Sequence, residues 1–159
     1  MIITWQGGQN FILKSKGVSI VLAEKCKLGD LVVEEPGEYE VGGVQLDWID
    51  GIIQVYTEGL NVSHIKKGKV LSDEELQELN GVDILLIGIG GGEFTETKTA
   101  LSVITQIDPS IVVPMHTGNL DEFIKEEGAN AQAVEELKIS KPELPIDGRR
   151  IVTLNAQSK

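Results

Sequence analysis

The 159-residue chain has one cysteine and two histidines. Cys26 has no partner for an intramolecular disulfide, and no C-x-x-C pair is present to hold zinc. Its neighbours Lys25 and Lys27 would lower the pKa of an exposed thiol, but the simpler expectation is an unreactive surface cysteine. Positive charge is scarce: 14 Lys and Arg stand against 25 Asp and Glu, a formal net charge of −11. That balance repels a phosphate backbone and argues against general nucleic-acid binding and against anionic membrane surfaces. Long hydrophobic runs are missing too. The longest, ILLIGIGGG at 84–92, is too short to span a bilayer. The opening MIITWQGG has no charged segment followed by a long apolar one, so a cytoplasmic protein without a signal peptide is the expectation.

What is present divides in two. Residues 1–65 are short strand-like runs separated by glycine-rich turns, among them IITW, NFILK, VSIVLA, DLVVE, VQLDWI, IIQVYTE and LNVSHI. Val44, Leu46 and Trp48 fall on one face of such a run and Gln45 and Asp47 on the other. Helical patterns begin only after residue 71. Ser72 and Glu75 are spaced as a capping box, with Gly81 as the stop. Thr95 is placed to cap a helix running to about Ile107, with Ala100, Leu101, Ile104 and Ile107 on one side. Asn119 and Glu122 form a second capping box, opening a helix that Gly128 ends. DILLIGI and SIVVPM are buried strands between these helices, which predicts parallel strands joined by right-handed crossovers. ELKIS and RRIVTL supply two short strands near the end. The expectation is one α+β or α/β domain over residues 1–159, with mostly antiparallel strands first and helices after residue 71.

Three motifs can carry chemistry. GIGGG at 88–92 lies between a strand and a helix, where glycines let backbone N–H groups approach an anion. The dinucleotide fingerprint fails there because Glu93 occupies its last position. Gly90, Gly91, Gly92 and Lys67 remain the candidates for an anion or nucleotide loop. EEPGEYEVGG at 34–43 gathers four carboxylates, but its Pro-Gly and alternation read as a hairpin with a charged outer face rather than a calcium loop. His64 and His116 each close a strand. They lack any H-x-H or H-E-x-x-H companion, and no G-x-S-x-G elbow is present. His116 alone reads as a hydrogen-bonded turn residue.

ITWQGGQNFILK, PGEYEVGGV, LNVSHIKKGKVLSDEELQELNGVDILLIGIGGG and SIVVPMHTGNLDEFIKE together resemble the metallo-β-lactamase fold. Within it they resemble the small zinc-hydrolase-like proteins related to L-ascorbate-6-phosphate lactonase. The resemblance implies a sandwich of two sheets with outer helices. It also implies a metal site built from H-x-H-x-D-H, a further histidine, a bridging aspartate and a late histidine, where metal-bound water becomes the nucleophile. By the same comparison His116 matches the late histidine. The H-x-H-x-D-H stretch is missing, with only VLAEKCKLGD in its place. Gly8 stands where a Trp-x-Gly-His stretch would place histidine. The step carrying the bridging aspartate is His64-Ile65-Lys66-Lys67, with a lysine where a cation should bind. The resemblance therefore implies a degenerate member with no cofactor, His116 and His64 being vestigial. Lys67 is left to replace part of the lost positive charge.

The expected function is a binding or assembly module without metal-dependent hydrolase activity. The alternatives are a metal-dependent hydrolase with a rearranged zinc site, joining His64 and His116 to carboxylates such as Asp83, Glu93 or Glu38, and an anion binder at the glycine loop. Because every good helix follows residue 71, the outer face of the N-terminal sheet is expected to be bare. Val, Ile, Leu and Trp there would form an apolar patch, so a homo-oligomer, a dimer through that face or a sheet edge, is the expectation.

Overall fold

Alternation of apolar and polar residues builds the first sheet. The computed structural model describes residues 1–49, 51–116, 120–128 and 133–157. Strands β1 (Ile2–Trp5), β2 (Phe11–Ser15), β3 (Val18–Leu22), β4 (Cys26–Leu28) and β5 (Leu31–Val33) form an antiparallel meander. Every second residue turns inward: Ile3 and Trp5, Phe11 and Leu13, Ile20 and Leu22, Cys26 and Leu28 are buried. Lys16-Gly17 joins β2 to β3 with φ of 53° and 75°, the positive pair a two-residue hairpin requires.

The second sheet begins antiparallel, with β6 (Gly37–Val41), β7 (Val44–Ile49), β8 (Ile52–Thr57) and β9 (Leu60–Ile65). The acidic PGEYEVGG segment is the β6–β7 hairpin, as its pattern predicts. The chain then alternates α1 (Asp73–Leu79), β10 (Ile84–Gly88), α2 (Thr97–Ile107), β11 (Ile111–Met115) and α3 (Asp121–Glu127). Two short strands follow, β12 (Leu137–Lys138) and β13 (Arg150–Ile151). The strand orders are β12-β1-β2-β3-β4-β5 and β13-β11-β10-β9-β8-β7-β6, with β9, β10, β11 and β13 parallel. Pro114 fits in β11 because β13 pairs only with Ile111 and Val112, so that edge asks for no N–H at residue 114.

Two apolar clusters hold the layers. Phe11, Leu13, Ile20, Val55, Val62, Leu86 and Val113 meet between the sheets. Leu79, Leu85, Ile87, Val103, Ile104, Val112 and Phe123 pack the helices onto the outer face of the second sheet. This is a metallo-β-lactamase-like α+β sandwich with the helical layer on one side. α1 opens with the Ser72–Glu75 capping box and ends at Asn80 in the left-handed region. α3 ends at Gly128 as expected, whereas Asn119 lies outside the described residues.

Three expectations need correction. Thr95 does not cap α2. Glu96 holds the cap position, and the Thr95 hydroxyl instead accepts from Gly68 N at 2.8 Å, tying the β10–α2 loop to the segment after β9. Cys26 is no surface thiol: it sits on β4, a strand missed in the sequence, with its side chain in the core. Burial pushes its pKa up, against a smaller opposing effect from a hydrogen bond with the Ala23 backbone. The flanking lysines point the other way because strand neighbours alternate. Finally, the tryptophans are absent from the outer face of the first sheet. Trp5 turns inward and Trp48 packs on the core between the sheets.

Candidate functional site

Parallel strands place their C-terminal ends on one rim of a sheet, where ligands of such folds are usually met. Here that rim gathers His64 near the end of β9 and Lys66-Lys67 after it, the glycine loop after β10, and His116 after β11. The β1–β2 turn closes over it from the first sheet. Gln6 N donates to Asn10 O and Asn10 N to Gly7 O, with Gly7 and Gly8 at φ of 90° and 56°.

The two histidines do not converge. Four rings run in series across the rim. His64 meets the edge of Phe11 at 5.9 Å between centroids, Phe11 stacks on Trp5 at 6.5 Å, and Trp5 lies 5.0 Å from His116. Phe11 and Trp5 therefore stand between the imidazoles. The turn above also ties down the donors. Trp5 Nε1 donates to Gly8 O at 2.9 Å, and His64 Nε2 lies 2.8 Å from Gln9 O. A carbonyl only accepts, so that nitrogen carries the proton. His64 is 4% exposed. Burial pulls its pKa down to about 4, only partly offset by its backbone hydrogen bonds. It is a neutral core histidine at physiological pH.

His116 borders a cavity of about 330 Å³ lined by Trp5, Asp121, Ile124, Thr153 and Asn155, among others. The chain's last segment reaches this cavity because Trp5 bridges to Ala156. A larger recess, about 770 Å³, opens where β9 begins, among Lys16, Glu58, Asn61, Asp83 and Lys141. It is far from the histidine rim in the topology. It takes Asp83 away from any rearranged metal site, since that carboxylate accepts from Asn61 N and pairs with Lys141. Glu38 is likewise remote, on the outer edge strand β6. Among the described residues, no three of His, Cys, Asp and Glu come together as a group able to hold a metal. The residues outside the description contain one such side chain, Asp50. The donor set at the rim does not fit the two-metal chemistry of the fold, which needs five or six ligands around a shared hydroxide.

The glycine loop and Lys67 do come together. Lys67 Nζ donates to Gly92 O at 3.0 Å. The ammonium thus closes the loop from outside. The hollow beside Gly90 and Gly91 is lined by Glu96 and Glu122 as well as Lys98, a mixed wall for an anion. Gly88 has a different role. A Cβ there would stand 1.9 Å from the Lys66 carbonyl oxygen, so its absence is what lets β10 pass the end of β9. Trp5 and Asp121 are the rim residues that sequence reasoning did not single out. The Trp5-Gln6-Gly7-Gly8 stretch was the available signal for the first, and none existed for the second.

A two-sheet sandwich with a histidine at the rim of its parallel strands resembles the metallo-β-lactamase fold, though the described helices cover only one of its two outer faces here. Residues 23–116 match the family described as the beta-lactamase superfamily domain, and the chain belongs to that family. A solved structure of a metallo-beta-lactamase-superfamily protein from Thermotoga maritima is similar over 97% of this chain and 98% of its own, with TM-score 0.79 and 24% identity. Igni18, a metallo hydrolase from Ignicoccus hospitalis, is similar over 79% of this chain and 89% of its own, with TM-score 0.57 and 16% identity. At those identities the likeness is one of fold. No curated protein sequence matches the chain.

Proposed function

We propose that this chain is a degenerate member of the superfamily, close to the ascorbate-6-phosphate-lactonase-like branch, that binds without metal-dependent hydrolysis and works in the cytoplasm. The observation that carries the reading is the ring series His64–Phe11–Trp5–His116. Aromatic carbon occupies the space between the two imidazoles, and one of them is buried against a backbone carbonyl. One imidazole with one nearby carboxylate does not hold zinc with useful affinity. What the rim offers instead is a small cavity with an indole and an imidazole on one wall and aliphatic side chains beside them, suited to a small, partly apolar ligand.

Metal content tests this. The untagged protein, dialysed against trace Zn²⁺, Mn²⁺ and Fe²⁺, is expected to retain far less than one metal per chain by mass spectrometry. One or two equivalents, lost in His116→Ala, would overturn the reading and restore the rearranged hydrolase.

A further inference from the structure

The molecule is layered in charge as well as in structure. On the first sheet, the outward strand positions form two cross-strand rows, Lys138–Ile2–Lys14–Ser19 and Thr4–Ile12–Val21–Lys27–Val32. Lys14, Lys27 and Lys138 are exposed, and Ile2, Ile12 and Val21 are half-buried between them. No outward strand position of this sheet carries a carboxylate, in a chain of net charge −11. None of the three lysines has a salt-bridge partner among the described residues. No described helix packs on this face, since α1, α2 and α3 all belong to the cluster on the other sheet.

The opposite side of the sandwich has the reverse charge. The exposed helical carboxylates are Asp73, Glu74 and Glu78 on α1 and Asp121, Glu122 and Glu126 on α3. Only Lys98 and Lys125 oppose them, six negative charges against two positive. One broad face is cationic and uncovered, and the other is acidic and helical.

We infer that the bare face of one copy takes the helical face of a second copy, head to tail. This places carboxylates on lysines and supplies the missing outer helix layer of the sandwich. A symmetric face-to-face dimer would instead oppose lysine with lysine. The inference does not depend on what the histidine rim does. Six strands about 4.8 Å apart and two to five residues long make a patch of roughly 350 Å². That is about half the side of a standard stable interface, so association is weak, reversible and governed by screening.

Sedimentation velocity on the full chain, up to about 1 mM, tests it at low salt and again at about 300 mM, where the Debye length is well below 10 Å. The expected result is a sedimentation coefficient that climbs with concentration at low salt without stopping at a dimer, and a loss of at least tenfold in association at high salt. Lys14→Glu/Lys27→Glu/Lys138→Glu abolishes it, and so does Glu74→Lys/Glu78→Lys on the opposite face. Mixing the two variants restores it, because each carries the charge the other lost. A strict monomer at low salt overturns the inference. So does a salt-insensitive species that stops at two copies, the mark of a symmetric apolar contact, or a mixture no more associated than its parts.

Discussion

His64 sits at 4% exposure, and burial holds its pKa near 4 against about 6.5 for a free side chain. At pH 7.5 it is neutral whether the chain is folded or not. As the pH falls below 6.5 the unfolded chain takes up a proton that the folded one refuses. Stability is therefore complete above the unfolded pKa and is lost as the pH falls toward 4. At pH 4.5 the two pKa values give a loss of about 2.5 kcal/mol, or roughly 5–10 °C in melting temperature for a domain of this size. His64→Gln can keep a donor toward the Gln9 carbonyl but does not titrate. Urea unfolding of both proteins at pH 7.5 and 4.5 isolates the effect, because every other ionisable group is common to the two proteins and cancels in the difference. Wild type is expected to lose about 2.5 kcal/mol more than the variant. If both lose stability in parallel, the folded protein already admits a proton at His64 and the ring is not sealed as described.

Two further substitutions test the packing around the rim and beneath α1. Gly88→Ala places a methyl group 1.9 Å from Lys66 O and 2.8 Å from Phe94 Cδ1. Backbone must move, so a loss of about 3 kcal/mol or failure to fold is expected in thermal unfolding; a loss under about 1 kcal/mol would mean that the β9 and β10 ends are not in contact. Gln54 is fully buried, donates to Ser63 Oγ and Leu79 O, and accepts from Tyr56 OH. Gln54→Ala strands the buried Ser63 hydroxyl but not the Leu79 carbonyl, which Asn61 Nδ2 also serves, nor the Tyr56 hydroxyl, whose half-buried ring borders the recess. The expected cost in urea unfolding is about 2 kcal/mol, and a neutral result would show that water reaches this network.

The local signals that survived into the structure are those with a short-range cause. The β6–β7 hairpin, the Ser72–Glu75 box and the Gly128 stop each depend on a few neighbouring residues and on backbone geometry that only some side chains allow. The β9-α1-β10-α2-β11 alternation was legible for a related reason, since buried parallel strands read as unbroken apolar runs. The three-residue strand β4 was not legible. Nothing in AEKCKLG distinguishes a strand from a loop, and the side on which Cys26 falls follows from the register of β4 against β3. Thr95 shows the same limit. Its capping pattern is sound, but a tertiary partner, Gly68 N, took the hydroxyl.

For the site, the sequence by itself determined which metal-binding side chains exist: two histidines, one cysteine, and no clustered motif. It also determined the charge, −11, and the order of strands before helices. What only the tertiary structure decided is which of those residues meet. His64 and His116 end neighbouring stretches of one rim, and a sequence leaves them free to share a ligand. The fold threads Phe11 and Trp5 between them from the other sheet. It likewise sorts the lysines of three separated segments onto one face and the acidic helices onto the other. Covalent neighbours fix local conformation, but contacts between residues far apart in the chain are set by how the two sheets pack, and chemistry at a site is made of those contacts.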